Sequence, residues 1–327
     1  MSTVNITSYD RENQRNQLYL PSALHAVDTD STGNSAEAIV DEVEDVTFSD
    51  DTADESPKTA DIRVVSYNVL SSSLCEAGYH TKCTRENLNP ATRLQRVKDL
   101  LRPEMEAGSV VCLQEVSMRW ASRLHEFFLA NGYVFIHHGY GGNFDGYMGA
   151  GIAFPQRKFE LRSTRIERLA DTKYWPKRPR EAPPTTLQRL AQFWHEAWHG
   201  TGPPPPPDPW KDAKRRQNFL VYMRLEHLES PGLTFAVATY HMPCQFRIPA
   251  VMVIHAALAL QMVQKLARDD PLIFCGDMNF KPGDSPYRLV TEGSLSSEDE
   301  FYPQPPEDDR WRPVVDYPMR SAYKATA

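Results

Sequence analysis

The chain has 327 residues, 41% of them hydrophobic, and a formal net charge of −7. That charge is unevenly placed: residues 1–60 carry three basic side chains (Arg11, Arg15, Lys58) against thirteen acidic ones, which leaves the remainder slightly basic at net +3. The length suffices for one large core or two smaller ones, and five cysteines without metal-like spacing, two of them inside apolar runs, fit a reducing compartment rather than a disulfide framework. Neither a signal nor a transit pattern opens the chain and no apolar run is read as membrane-spanning, so the expectation is an intracellular protein without membrane attachment.

Residues 1–60 are rich in Ser, Thr, Asn, Asp and Glu and cannot bury enough apolar surface to offset their ordering entropy, which predicts an acidic disordered tail. The globular part, 61–327, opens with Ile62 to Leu70, of strand composition. Leu94, Val97 and Leu101 then fall at helical spacing, with Pro103 as the expected stop. Ser109 to Val116 is a buried strand ending in an acid. Trp120, Leu124, Phe127 and Phe128 mark the inner face of a helix that Asn131-Gly132 would cap. Strands are expected at Tyr133 to His137 and Gly149 to Phe154, separated by a Gly-rich turn bearing aromatics.

Residues 165–217 differ from their surroundings. Scattered prolines, a helical stretch from Thr186 to His199 and the run Pro203 to Pro207 read as a Pro-rich insertion in a loop. Strands at Asn218 to Leu225 and Leu233 to Tyr240 follow, then a long helix from about 249 to 267. The next apolar run, Pro271 to Cys275, stops abruptly at Gly276-Asp277-Met278-Asn279. A strand alternates its side chains, so Asp277 and Asn279 share a face.

Asn68, Glu115, Tyr147, His241, Asp277 and Asn279 all lie at or near the ends of predicted strands. Strand ends converge on a crevice in α/β folds, so these polar groups are expected to meet in one site. As a set they suit metal-assisted hydrolysis of a phosphate ester. Glu115 is a hard oxygen ligand for Mg²⁺; the amides of Asn68 and Asn279 and the imidazole of His241 can donate to charge developing on phosphate; Asp277 can orient or deprotonate a water.

Ser-Tyr-Asn-Val-Leu at 66, Leu-Gln-Glu-Val at 113, Gly-Tyr-x-Gly-x-Gly-Ile-Ala at 146, Thr-Tyr-His at 239 and Gly-Asp-Met-Asn-Phe at 276 resemble the ordered motifs of the endonuclease/exonuclease/phosphatase superfamily. The resemblance implies a four-layer α/β sandwich, two mixed β-sheets packed face to face with helices outside, and hydrolysis of phosphodiesters or phosphomonoesters with Mg²⁺, Mn²⁺ being the substitute. By position it makes Asn68 and Glu115 the metal-site pair, Tyr147 the tyrosine near the scissile phosphate, His241 the phosphate-binding histidine, and Asp277 with Asn279 the water and phosphate residues. Leu88 to Arg93 and Pro282 to Leu289 are similar to the deadenylase and nocturnin-like branch, which implies RNA ahead of DNA, or a related nucleotide, as substrate.

Members of the superfamily end in a strand bearing Ser-Asp-His, whereas here no histidine follows His255 and Asp316 cannot stand in for that pair. Three expectations follow: missing C-terminal strands, a sheet with an uncovered edge, and little or no turnover by this chain alone. Two other readings compete. His195-Glu196-Ala197-Trp198-His199 fits the helical zinc-protease motif, but no third ligand of recognisable spacing follows. The acidic tail, the basic run Lys211 to Arg216 and Pro203 to Pro207, which could dock on an aromatic groove of a protein partner, suit an interaction protein instead.

Overall fold

The computed structural model describes residues 2–6, 18–21, 60–142, 146–175, 185–187, 189–190, 194, 207–307 and 309–322. In chain order the elements are β1 (Ser2–Ile6), β2 (Leu18–Pro21), β3 (Ile62–Asn68), α1 (Pro90–Glu106), β4 (Val110–Gln114), α2 (Met118–Ala130), β5 (Tyr133–Gly139), β6 (Gly149–Pro155) and β7 (Phe159–Arg168). After the stretch around 176–206 come α3 (Pro209–Arg215), β8 (Phe219–His227), β9 (Thr234–His241), α4 (Pro249–Ala267), β10 (Leu272–Asp277), α5 (Ser285–Glu292) and β11 (Arg320–Ser321).

Two mixed sheets result, in the orders β1-β3-β4-β6-β5 and β11-β2-β10-β9-β8-β7. The first sheet contains one parallel pair, β3 with β4, and in the second β9, β10, β2 and β11 run parallel in succession. Antiparallel strands continue both sheets on the far side, β6 and β5 in one, β8 and β7 in the other. The parallel pairs need long crossovers, which α1 and α4 supply. Between the sheets lies a core that includes Val64, Cys112, Ile152, Met223, Val237 and Cys275. Trp120, Leu124 and Phe128 of α2 pack with α1 on the outside of the first sheet; α4 and α5 cover the second. The architecture is therefore the expected four-layer α/β sandwich.

Several sequence expectations need correction. The last four residues of β7 and the whole of α3 lie inside the span 165–217 read as a loop insertion. Arg168 holds the two together, donating from Nε to the Arg216 carbonyl and from Nη2 to that of Lys214, both at 2.8 Å. Pro203 to Pro206 and the 195–199 motif lie outside the described residues; Pro207 is exposed. Pro103 does not stop α1 but sits in its last turn. The hydrogen bond it forgoes is to the Asp99 carbonyl on the solvent side of the helix. Two pieces of the segment expected to be disordered are strands: β1 runs antiparallel along β3 and β2 lies parallel between β10 and β11. They lie along β3 in one sheet and β10 in the other, where one sheet was expected to have an uncovered edge. The other positions of 1–59 lie outside the described residues. Finally, α4 is long and apolar enough by composition to cross a membrane, yet 72% of it is buried in the fold.

The middle of α4 illustrates how completely it is enclosed. His255 is fully buried; its Nε2 lies 3.0 Å from the Ala213 carbonyl and its Nδ1 2.8 Å from the Tyr240 hydroxyl. Those partners select the neutral ring, with Nε2–H donating and Nδ1 accepting. Burial draws its pKa down from 6.5 to about 4, and that of the half-buried His137 similarly to about 4. Below pH 6.5 the unfolded chain takes up protons that the folded rings refuse, so stability should fall as pH drops from 6.5 towards 4, by about 3 kcal/mol for each ring. Urea midpoints of the wild type and of His255→Phe across that window check this; the variant should show the shallower dependence.

Candidate active site

The four inner strands end at the same lip of the sandwich. Gln114, the last residue of β4, is buried and donates from Nε2 to Ser66 Oγ of β3 at 3.2 Å and to Thr239 Oγ1 of β9 at 2.9 Å, a polar tie between the sheets. The chain must then turn, and Glu115 takes a left-handed backbone, φ +59°. That conformation carries its side chain across the end of β3: Oε1 accepts from Asn68 Nδ2 at 2.8 Å and Oε2 from the Ser71 N–H at 3.1 Å.

The opposite wall comes from β9 and β10. Asp277 is 0% exposed. It pairs in register with His241 across the two strands. Its Oδ2 accepts from the same Asn68 Nδ2 at 2.8 Å, and its Oδ1 from the Asn279 N–H at 3.1 Å. One amide group thus bridges two carboxylates from opposite sheets. Its orientation is fixed from the other side, because Asn68 Oδ1 accepts from the Leu70 N–H at 2.8 Å. Arg93 steadies this turn with Nη2 at 2.7 Å from the carbonyls of both Val69 and Leu70, while its guanidinium lies 5.1 Å above the Trp120 ring. Asn68 therefore shows Glu115 its amide N–H and turns its oxygen to the Leu70 N–H.

His241 completes the cluster. Its Nε2 stands 4.0 Å from Glu115 Oε1 and 3.7 Å from Asp277 Oδ2. Its Nδ1 is buried without a hydrogen-bond partner, a costly state that a missing ligand would relieve. Burial raises the Asp277 carboxyl above its ordinary range; His241, the Asn68 bond and the Asn279 N–H oppose that shift, and Glu115 adds to it. Two facing carboxylates, one with raised proton affinity, form a pocket of negative potential that a cation would stabilise. One donor atom each from Glu115, His241 and Asp277 falls within 4.8 Å of the others. Two hard oxygen donors suit a divalent cation of the Mg²⁺ type, so the residues fit such an ion.

Asn279, φ +51°, commits its amide to the Met242 carbonyl at 2.8 Å and so ties the ends of β9 and β10. Tyr147 is half-buried against the inter-sheet core. Tyr140, 1% exposed, has its pKa raised by burial first and then by the charges of Glu115 and Asp277, while a hydrogen bond from Asn218 opposes the shift. Asn218 also donates to the His241 carbonyl at 2.7 Å. Neither residue stands out in the sequence, since Tyr140 lies in a Gly-rich turn and Asn218 at a strand start. Asp316, by contrast, is held on the outer face by Gln264 of α4.

Gly276 is what lets β10 lie flush on β9. Its φ is +145°, and a Cβ there would sit 1.9 Å from the Tyr240 carbonyl oxygen. Gly276→Ala should cost about 3 kcal/mol or more, since backbone on both strands must yield. Chemical denaturation reads that loss.

The Endonuclease/Exonuclease/phosphatase family profile matches residues 65–321, the span that holds every residue of the cluster. The chain is a member of that family. No curated protein matches it. Among solved structures, ANGEL2, a 2′,3′-cyclic phosphatase, in complex with adenosine-2′,3′-vanadate, is 21% identical with a TM-score of 0.52, over 71% of this chain and 57% of that one. A second ANGEL2 structure is 20% identical with a TM-score of 0.54, over 76% and 63%. The human Nocturnin catalytic domain with bound sulfate is 18% identical with a TM-score of 0.45, over 68% and 66%. This endonuclease/exonuclease/phosphatase chain thus spans less than two thirds of the length of the ANGEL2 chains it resembles, and at such identities the likeness is one of fold.

Proposed function

We propose that this chain carries the site of a divalent-metal-dependent phosphodiester hydrolase of the nuclease type, from the deadenylase and nocturnin-like branch, with RNA ahead of DNA as substrate and a nucleotide phosphomonoester as the alternative. The observation that carries the reading is the meeting of Glu115, His241 and Asp277 within 4.8 Å, bridged by Asn68, at the ends of strands from both sheets. Glu115 and Asp277 would hold Mg²⁺ or Mn²⁺, and the ion would draw charge from a phosphate oxygen when bound. The chain's own groups do the rest. Asn68 fixes the spacing of the two carboxylates and offers its amide to the phosphate. His241 presents Nε2, the ring nitrogen nearest the two carboxylates, to a phosphate oxygen. Asp277, with raised proton affinity, orients the attacking water and accepts its proton. Asn279 holds the strand ends together beside the phosphate, and Tyr147 borders it from the 146–149 turn.

Turnover by this chain is proposed to be slow, because among the described residues His241 is the one imidazole in ion-pair range of Asp277. The division into an acidic tail (1–60), a catalytic domain (61–327) and an added segment (165–217) belongs to the same reading. So does an intracellular location, in keeping with five free cysteines.

The test is Mg²⁺- or Mn²⁺-dependent cleavage of a 5′-labelled oligoadenylate, with an RNA ending in a 2′,3′-cyclic phosphate in the same panel. The expected result is weak, metal-dependent cleavage that vanishes in Asp277→Asn. Cleavage that survives chelation or that substitution would overturn the hydrolase reading; rapid release of mononucleotides would overturn the slow-turnover part alone.

A further inference from the structure

The cations of α3 have no role in the site described above, yet the fold brings them to its edge. Asp208 caps the helix, its Oδ1 accepting from the Trp210 and Lys211 N–H groups at 3.1 and 3.4 Å. Trp210 and Ala213 are buried against Val251, Ile254 and Leu258 of α4. The last turn is pinned three ways, by Arg168 on the carbonyls of Lys214 and Arg216 and by His255 on that of Ala213. A helix of seven residues fastened so firmly is a fixed platform and not a solvated loop.

Its direction is what matters. The chain leaves the basic end of α3 at Arg216, passes Gly142 of the Gly-rich turn at Gln217, where a Cβ on that glycine would come within 3.5 Å of the glutamine side chain, and then places Asn218 against the His241 carbonyl. Lys211, Lys214 and Arg215 are all exposed. None of the three makes an ion pair or side-chain hydrogen bond among the described residues, while nearby Arg165 and Arg168 are each engaged by an acid. On the other side of His241, Arg247 is also exposed. Five residues before it, Met242 donates its N–H to the Asp277 carbonyl and accepts from Asn279 Nδ2, both at 2.8 Å, which roots this loop at the ends of the cleft strands. Exposed cations therefore stand a few residues from Asn218 and from His241, the two residues joined at the end of β9, in a chain whose residues beyond 60 are net basic.

We infer that the exposed cations of α3, with Arg247 across the mouth, form a track for the phosphodiester backbone of a single-stranded polynucleotide whose scissile phosphate lies at Glu115 and Asp277. The inference rests on the phosphodiesterase reading and narrows it, because a mononucleotide has no further phosphates to meet these cations. Ionic contacts of this kind release counterions, so each should steepen the salt dependence of binding by about 0.7 on a logarithmic scale for a single strand.

The test compares the full-length wild type with Lys211→Gln/Lys214→Gln/Arg215→Gln. Filter binding of a 12-mer oligoadenylate is measured over a range of salt, alongside calorimetric titration with Mn²⁺ and with AMP. The triple variant should bind the 12-mer at least tenfold more weakly, with a salt slope shallower by about 2. Its Mn²⁺ and AMP affinities and its melting temperature should match the wild type. An unchanged 12-mer affinity or slope, or a wild type that binds polyglutamate displacement-resistant to RNA, would overturn the track. A track-dependent affinity for the 12-mer with no Mn²⁺ binding in either protein would sustain the track and overturn the hydrolase reading instead. Equal losses for AMP and the 12-mer would also refute the track, because the cations would then be part of the cleft.

Discussion

Asp277→Asn should leave the protein folded, with a melting temperature equal to or above that of the wild type, while lowering Mn²⁺ affinity by about 100-fold and any cleavage by about 10²–10⁴-fold. The two halves of this result share one cause. The carboxyl is fully buried and its pKa is raised, so holding it ionised at neutral pH works against folding. An isosteric amide removes that cost along with the charge a cation needs. It also sets an NH₂ or a neutral oxygen against Asn68 Nδ2, which now donates to both Asp277 and Glu115. Calorimetric metal titration and scanning calorimetry check the two halves separately. A variant that melted lower and bound Mn²⁺ as before would show Asp277 to be a structural acid.

The second large effect is expected far from the cleft. Lys173 Nζ lies 2.5 Å from Asp309 Oδ2 and 3.1 Å from the Tyr174 carbonyl, with the Lys173 and Asp309 side chains only 4% and 7% exposed. Three indoles surround the ammonium, Trp175 at 5.3 Å, Trp210 at 5.5 Å and Trp311 at 5.3 Å. Asp309→Ala would leave that ammonium buried without its counter-charge, at a cost of about 3–5 kcal/mol. The aromatic faces compensate only in part, since each such contact contributes about 0.5–2 kcal/mol and they are present before and after the change. Lys173→Met/Asp309→Leu, which removes both charges and keeps the volume, should recover most of the loss. Urea unfolding followed by circular dichroism measures both; equal losses in the single and double variants would mean that packing, not charge, is at stake.

The sandwich was legible where burial is two-sided. Uncharged runs such as Val110 to Leu113 and Leu272 to Cys275 can be nothing but inner strands, and each halts at the polar residue it delivers to the rim. The predicted span of α4 matched Pro249–Ala267. β7 was missed because its sequence, Phe-Glu-Leu-Arg-Ser-Thr-Arg-Ile-Glu-Arg, is that of an edge strand, exposed along most of its length and blunted with charge. β1 and β2 were missed for another reason: their pairing is to strands 60 and some 250 residues away, as in Val4 with Val64 and Tyr19 with Phe274, and nothing local signals it. In the cluster, Asn68, Glu115, His241 and Asp277 announced themselves by standing at strand ends. Tyr140 and Asn218 act through tertiary proximity alone, and Lys173 needed the coordinates to be seen as the hub of a segment first read as a loop.

The ammonium enclosed by Trp175, Trp210 and Trp311 has an optical corollary, because half of the six tryptophans of the chain are gathered there. Trp175 and Trp210 bracket residues 176–209, and Trp311 belongs to the stretch after α5. Ultraviolet emission from this trio is therefore a built-in reporter of whether α3 and the stretch after α5 stay docked, readable in dilute solution without any label.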